Sequence, residues 1–184
     1  EQGTFDINDV CDGICKKLII RHPHVFADVK ADTTEKVLKN WDAIKMKTKS
    51  QKTQTQAILS VSKALPSLMR STKIQQKAAK VGFDWSNAED ALAKLYEECD
   101  ELKEAVSKGD TDNQYEELGD VLFSAVNVAR LLKIDSEHAL YDACDKFIGR
   151  FSKVEVLAKE RGIDMKSATL SELDSLWDEV KIKE

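Results

Sequence analysis

Apolar residues recur every three or four positions along most of this chain, which is the period of a helix with one buried face. No stretch shows the sustained period-two alternation of a half-buried strand. The 184 residues include only 7 glycines and 2 prolines, too few for the many tight turns of a sandwich or barrel. We therefore predict an all-α fold, built as a helical bundle.

Seven helices are predicted from the apolar period and from capping residues at its breaks. They run from Asp6 to Arg21, from Thr33 or Thr34 through Ile44, from Pro66 to about Val81, from Ser86 or Asn87 to about Ser107, from Thr111 or Asp112 to about Lys133, from Ser136 to Arg161, and from Thr169 or Ser171 through Val180. Between the second and third helices, residues 45–55 are polar and favour a linker or a frayed helix end. No apolar run approaches the ~20 residues of a membrane span, so no membrane contact is expected.

An internal repeat groups these helices. At an offset of 129 residues, the matched pairs are Phe5 with Ile134, Asp6 with Asp135, Cys15 with Cys144, Lys17 with Lys146, Arg21 with Arg150, and Val25 with Val154. Trp41-Asp42 also resembles Trp177-Asp178, at an offset of 136. We interpret this as a tandem duplication, with chance identity as the alternative. The first copy has no carboxylate cluster before it, so we expect it to be catalytically silent.

Charge is separated along the chain although the net charge is only −5. No acidic residue lies between Asp42 and Asp84, a stretch rich in lysine, whereas residues 89–120 carry twelve acidic residues against three lysines. The basic stretch has no interleaved aromatic residues, so a solvated surface is favoured there over nucleic-acid binding. The acidic stretch repels itself and is most easily understood if cations sit in it.

The acidic side chains have the spacing of a helix face. They are Glu97, Glu98, Asp100 and Glu101 on the fourth predicted helix, and Glu116, Glu117 and Asp120 on the fifth. The Lys108-Gly109-Asp110 turn makes the two helices antiparallel, so four or five carboxylates can converge. The fifth helix is apolar on nearly every side and is predicted to be buried.

Carboxylates beside a buried helix need a partner, and Mg²⁺ prefers oxygen ligands. No histidine lies in the cluster, which argues against zinc. From spacing alone, a metal site and a solvated acidic face both remain open. Lys146 and Arg150, one turn apart, form either a surface pair or a binding site for polyphosphate. A separate set, Cys11, Cys15, His22 and His24, has spacing that permits zinc, but two core thiols and a His-Pro-His loop are the preferred interpretation.

Glu97-Glu98-x-x-Glu101 followed by Glu117-x-x-Asp120 is similar to the EExxE…ExxD signature of the MazG-type nucleoside triphosphate pyrophosphohydrolases. Leu65-Pro66-Ser67-Leu68-Met69-Arg70 and Ala78-Ala79-Lys80-Val81-Gly82-Phe83-Asp84-Trp85 look like the segment that links the two domains of this family's full-length members. The resemblance covers essentially the whole chain.

The resemblance implies a bundle of the all-α NTP pyrophosphatase type that is completed by homodimerisation. It implies a truncated end of a first MazG-like domain at residues 1–45, a linker at 46–64 and a catalytic MazG-like domain at 65–184. Mg²⁺, or Mn²⁺ as a substitute, is then held by Glu98, Glu101, Glu117 and Asp120, assisted by Glu97. Triphosphate contacts are implied for Lys94, Lys146 and Arg150, and a nucleotide contact for Trp177.

The implied reaction is hydrolysis of a nucleoside triphosphate between its α and β phosphates, giving a nucleoside monophosphate and pyrophosphate. No base-reading motif is evident, so broad specificity is expected. Four cysteines without paired spacing favour free thiols and a cytoplasmic location. Two alternatives stay open: a non-catalytic helical interaction module with an acidic docking face, and a narrower enzyme resembling a dUTPase.

Overall fold

The computed structural model describes residues 4–27, 33, 36, 37, 44 and 53–182. All regular elements in these residues are helices, which confirms the predicted all-α class. They are α1 (Ile7–Arg21), α2 (Pro23–Phe26), α3 (Gln54–Leu59), α4 (Ser67–Ala79), α5 (Ala88–Lys108), α6 (Thr111–Leu131), α7 (Ser136–Glu160) and α8 (Leu170–Ile182). None of these helices combines the length and the apolar character that crossing a bilayer requires.

Short polar side chains cap the helices, as the sequence predicts, but not always at the predicted residue. Asp6 caps α1 and Asn87 caps α5. Asp110 caps α6 and Asp135 caps α7, so the predicted caps one or two residues later are wrong. An ionised aspartate accepts strongly from the first free N–H groups and outcompetes the hydroxyl residues that follow it.

The repeat predicted from the sequence has a structural counterpart at these caps. Asp6 and Asp135, which match at the offset of 129 residues, both accept hydrogen bonds from the first turn of the helix that follows. The second predicted helix is described only in part. The Thr33 hydroxyl accepts from the Lys36 N–H at 3.3 Å, and residues 36, 37 and 44 have helical backbone. Trp41 lies outside the described residues.

The structure places a helix where the sequence predicts a linker. Helix α3 begins with a capping box, in which Thr53 and Gln56 each accept from the other's backbone N–H, and Ala57 is buried. This Thr-x-x-Gln pattern is the signal that the low apolar content obscured. Helix α4 begins at Ser67, after Pro66, and ends at Ala79 rather than near Val81.

The described chain divides into two compact units. One comprises residues 1–62 and 77–82, and the other comprises residues 63–76 and 83–184. In the first, the Gln54 side chain donates a hydrogen bond to the Lys77 carbonyl. The proposed division into domains at residues 45 and 64 stays a prediction.

The second unit is built on an antiparallel hairpin of α5 and α6, which form the most extensive helix contact in the described chain. The turn uses Gly109 at φ 68°, a conformation that a residue without Cβ adopts without strain. Ala91, Glu98 and Ala105 are the buried residues of α5 and are spaced seven apart, so they lie on one face. Small alanines on that face allow the two helix backbones to approach closely.

Helices α7 and α8 pack against each other around a separate core. Val154, Ala158, Leu176 and Val180 are its buried residues. The Arg161 guanidinium donates to the Glu179 carboxylate at 2.5 Å and joins the end of α7 to α8. Helices α6 and α7 contact each other much less than either contacts its own antiparallel partner.

Helix α6 is not buried in the single chain, which corrects the prediction from its all-round apolar sequence. Val126 is its one buried residue, while Tyr115 is 85% exposed and Leu122 is 52% exposed. The helices packed against α6, chiefly α5, leave part of its apolar surface exposed. Glu98 lies on the buried face of α5, whereas Tyr96 and Val106 on the same helix are exposed.

A charged network closes the open end of the hairpin, opposite the Gly109 turn. The Arg130 guanidinium donates to both Asp84 carboxylate oxygens, one at 3.0 Å, and also to the Asn127 side-chain oxygen. The Arg130 side chain is 11% exposed and that of Asp84 is 25% exposed. This hydrogen bond from Arg130 holds the pKa of Asp84 below its ordinary value. The network ties the segment before α5 to the last turn of α6.

Replacing Asp84 with asparagine keeps the shape and removes the charge. We expect Asp84→Asn to lower the free energy of unfolding by about 1 to 2 kcal/mol at pH 7. Because the pKa of Asp84 is lowered in the folded state, this contribution is present above the ordinary pKa and is lost as the pH falls through the folded value. The difference between the variant and the unmodified protein should therefore shrink below about pH 4, the ordinary range of aspartate.

Urea unfolding followed by far-UV circular dichroism measures this difference. The matched control is Asp142→Asn, an exposed aspartate on α7. Equal unfolding curves for Asp84→Asn and the control at pH 7 would show that the pairing of Asp84 with Arg130 does not stabilise the fold.

Candidate active site

Three carboxylates converge in the α5–α6 hairpin. One oxygen from each of Glu98, Glu101 and Glu117 lies within 4.8 Å of the others. Glu98 and Glu101 are one turn apart on α5, and Glu117 comes from the facing helix. In the described part of the chain this is the one set of three or more histidine, cysteine or acidic residues placed closely enough to share a metal ion. We call it the carboxylate cluster.

The cluster is centred on a buried acid. The Glu98 side chain is 9% exposed, and its carboxylate forms an ion pair with the Lys94 ammonium at 2.9 Å. The same ammonium lies 2.9 Å from Glu97. These bonds, to Glu98 first and to Glu97 second, raise the pKa of Lys94 above its ordinary value. Lys94, expected to contact triphosphate, thus lies beside the carboxylates as their nearest described cation.

Glu101 and Glu117, the other two members of the cluster, experience electrostatic repulsion from neighbouring carboxylates. A hydrogen bond shared with Glu98 raises the pKa of Glu101, and burial and the charge of Glu117 raise it further. Desolvation raises the pKa of Glu117, followed by the charges of Glu98 and Asp120. Three carboxylates with one lysine leave net negative charge at close range. A divalent cation with a preference for oxygen suits such a set of donors.

The remaining predicted acids lie around the cluster. Asp120 is exposed on α6, one turn beyond Glu117, and is not one of the three converging carboxylates. Glu97 is also exposed, and its carboxylate is held by Lys94. The structure thus brings three of the four predicted metal ligands together and places the fourth on the next turn of the same helix.

Of the predicted substrate-binding residues, Lys146, Arg150 and Trp177 lie on the other helix pair. The Arg150 guanidinium carbon lies 6.0 Å from the centroid of the Trp177 ring, a cation–π distance between α7 and α8. Lys146 is exposed one turn before Arg150. The structure brings Arg150 and Trp177 together, on elements different from those that carry the cluster. Sequence reasoning missed Phe147, whose ring centroid is 5.1 Å from that of Trp177. Its spacing of four from Phe151 was the available signal.

The cysteine and histidine set near the start of the chain does not form a buried site. Cys11 and Cys15 are free and exposed on α1, so the expectation that they are core thiols is wrong. The His22 ring hydrogen-bonds to the Leu18 carbonyl at 2.8 Å. Cys99 and Cys144 are also free and exposed.

Comparison with known proteins finds a family match that includes the α5–α6 hairpin. Residues 1–26 and 86–155 match the MazG nucleotide pyrophosphohydrolase domain. The chain is 42% identical over 186 residues to a nucleoside triphosphate pyrophosphohydrolase of Escherichia coli (strain K12), which covers 100% of this chain and 71% of that protein. It is 39% identical over 181 residues to the nucleoside triphosphate pyrophosphohydrolase/pyrophosphatase MazG of Thermotoga maritima, covering 98% of this chain and 68% of that protein. A Bacillus subtilis protein, YabN, is 44% identical over 182 residues, 98% of this chain and 37% of that protein.

The chain belongs to the MazG family of nucleotide pyrophosphohydrolases. The predictions of the family and of a hydrolase are confirmed, and the alternative of a non-catalytic interaction module loses its support. The roles of the individual site residues stay predictions.

The repulsion within the cluster has a measurable consequence. We expect Glu117→Gln to raise the melting temperature of the protein in EDTA, because the substitution keeps the size of the side chain and removes one of three close negative charges. The control is Glu155→Gln, an exposed acid on α7, for which little change is expected. Differential scanning fluorimetry at pH 8, where carboxylates are ionised, makes the comparison. A lower melting temperature for Glu117→Gln would show that this carboxylate stabilises the fold rather than strains it.

Proposed function

We propose that this protein hydrolyses nucleoside triphosphates between the α and β phosphates, releasing a nucleoside monophosphate and pyrophosphate, with Mg²⁺ as its cofactor. The observation that carries the proposal is the convergence of Glu98, Glu101 and Glu117 in the α5–α6 hairpin of a MazG-family chain. The names of the Escherichia coli and Thermotoga maritima relatives describe the same class of reaction.

The donors of the carboxylate cluster suit Mg²⁺. They are all oxygens and lie close together, and the single positive charge of Lys94 does not neutralise the three carboxylates. Glu98, Glu101, Glu117 and Asp120 would hold the ion, with Mn²⁺ as a substitute of the same preference for oxygen. When bound, the ion neutralises phosphate charge and lowers the pKa of a coordinated water.

The chain's own residues orient the reactants. Glu97 is exposed beside the cluster and can accept a proton from the attacking water, since its carboxylate is not one of the three that converge. Lys146 and Arg150 bind the phosphates, and positive charge there stabilises the departing pyrophosphate. The Trp177 ring, already packed against Phe147 and Arg150, offers a face for a nucleobase. Lys94 can donate to phosphate oxygens at the edge of the cluster.

Specificity follows from how the base is held. Stacking on an indole ring discriminates weakly between bases, because every base has an aromatic face. We therefore propose broad base and sugar specificity, with a narrower enzyme resembling a dUTPase as the alternative. Hydrolysis of a panel of ribo- and deoxynucleoside triphosphates separates the two. A cytoplasmic location is consistent with four free thiols and stays a prediction.

Substitutions that keep size and remove charge test the metal ligands. We expect Glu98→Gln, Glu101→Gln and Asp120→Asn each to lower kcat/KM by about 100-fold or more, since each removes a metal-binding charge. Release of pyrophosphate is measured with Mg²⁺ present and with EDTA. Glu104→Gln is the matched control, because Glu104 is on the same helix, is exposed, and pairs with Lys108. Full activity of any of the three variants at saturating Mg²⁺ would refute the ligand assignment.

The same assay separates metal binding from phosphate binding. Lys146→Ala and Arg150→Ala should raise KM or lower kcat while leaving the affinity of the nucleotide-free protein for Mg²⁺ nearly unchanged. Loss of metal affinity in either variant would contradict this division of roles.

We also propose that the protein acts as a homodimer. Exposed apolar residues of α6 follow a spacing of three and four and form a stripe, which consists of Tyr115, Leu118, Leu122 and Ala125. Helix α5 has a second exposed stripe, of Leu92, Tyr96, Cys99 and Val106. The same hairpin of a second copy would cover both stripes in a four-helix arrangement.

A charge placed in the α6 stripe tests this association. We expect Leu122→Glu to convert the dimer to a monomer in sedimentation velocity at micromolar concentration, because burying an unpaired carboxylate is unfavourable. Leu170→Glu is the control, since Leu170 is even more exposed but lies on α8. A monomeric unmodified protein would refute the proposal.

A further inference from the structure

A cleft away from the carboxylate cluster is lined by three cations. It encloses about 400 Å³, a volume within the usual range of small-molecule sites. Lys73 on α4 and Arg130 and Lys133 at the end of α6 line it, together with Asp135 at the start of α7. Arg130 is thirteen residues beyond Glu117 along α6, about 20 Å at helical rise, and Lys133 follows the end of that helix. The cleft is therefore distinct from the cluster.

Two of the three cations have no counter-ion among the described residues. Arg130 is neutralised by Asp84, and it forms a wall of the cleft. Neither the Lys73 nor the Lys133 ammonium pairs with an acid anywhere in the part of the chain that the structure describes. The sequence favours a solvated surface for the basic stretch that contains Lys73, and Lys73 is exposed. The fold brings it to one cleft with Lys133, which lies outside that stretch.

The backbone at Lys133 is strained. Its φ is 60°, and it is the one residue other than glycine with positive φ among the described residues. The three others, Gly82, Gly109 and Gly162, also follow helix ends, where glycine adopts this conformation freely. At the end of α6 a lysine takes the position that glycine holds elsewhere. Folding stability alone favours glycine there.

We propose that this cleft binds a small molecule carrying a phosphate or pyrophosphate group, with Lys73 and Lys133 as its anion contacts. Two ammonium groups without counter-ions favour a compact polyvalent anion. Met69 and Ile134 line the same cleft and offer apolar contact to the rest of the ligand. The Asp135 carboxylate caps α7 through the N–H groups of Glu137 and His138, and it disfavours an anion placed close to it.

Isothermal titration of the intact 184-residue chain with inorganic pyrophosphate tests this site. EDTA is present, so that the carboxylate cluster holds no divalent ion and repels the probe. We expect Lys73→Ala and Lys133→Gly each to weaken binding by about tenfold, the loss of one charge-assisted contact. Lys133→Gly should at the same time raise the melting temperature, because glycine removes the strain at φ 60°. Gain of stability with loss of binding is a result that a merely structural lysine would not produce.

Three controls make the result specific. Lys159→Ala, an exposed lysine near the other end of α7, should leave the affinity within about twofold, as expected for a distant charge. Asp135→Asn keeps the helix cap and removes a negative charge, so it should tighten binding of pyrophosphate. Adenosine monophosphate as a second probe distinguishes a nucleotide ligand from a free polyphosphate. Either ligand supports the proposal if its binding depends on Lys73 and Lys133.

Two outcomes would overturn the proposal. One is the absence of binding of both probes at millimolar concentration, and the other is binding that Lys73→Ala and Lys133→Gly leave unchanged. Loss of pyrophosphate binding in Lys146→Ala instead would place the anion on α7, away from the cleft. Binding of a single-stranded RNA oligomer without binding of either small probe would assign the lysines to a nucleic-acid surface.

Discussion

The close contact between α5 and α6 is the constraint on which the rest of the second unit depends, because it holds like charges together. Ala91 and Ala105 allow the helices to approach, and Glu98 lies between them on the same buried face. Lys94 offsets part of the repulsion by its ion pair with Glu98, and contacts at both ends of the hairpin hold the two helices together. Gly109 makes the turn at one end, and the pairing of Asp84 with Arg130 closes the other. The proposed activity uses this negative charge, and we expect stability to be greater without it.

The distribution of apolar surface explains why one copy of the hairpin is an incomplete bundle. The described chain buries few large apolar side chains, and both hairpin helices keep exposed apolar stripes. Helices α7 and α8 bury their own core and carry Arg150 and Trp177. The carboxylate cluster and the proposed phosphate contacts therefore belong to two helix pairs, each packed mainly within itself. Association of two copies would supply the apolar burial that a single hairpin cannot.

Most of the fold was predictable because the helical period and the caps are local properties. The start of α5 at Asn87 and the turn at Gly109 follow directly from residue type. The errors arose where local signals compete. Asp110 and Asp135 were passed over for the hydroxyl or acidic residues beside them, and α3 was hidden in a polar stretch. The burial of α6 was misjudged because an apolar sequence says that a surface must be covered, but not by which chain.

The sequence by itself determined which carboxylates share a helix face, since residues three or four apart are neighbours on any α-helix. It also carried the family signature and the repeat that places Asp6 and Asp135 at equivalent helix starts. Only the tertiary structure decided that Glu98 is the buried member of its cluster, because burial depends on which face of α5 meets α6. The cleft of Lys73 and Lys133 was equally invisible, since those residues are sixty positions apart and nothing local relates them. Proximity across a fold is set by packing, which a one-dimensional pattern does not record.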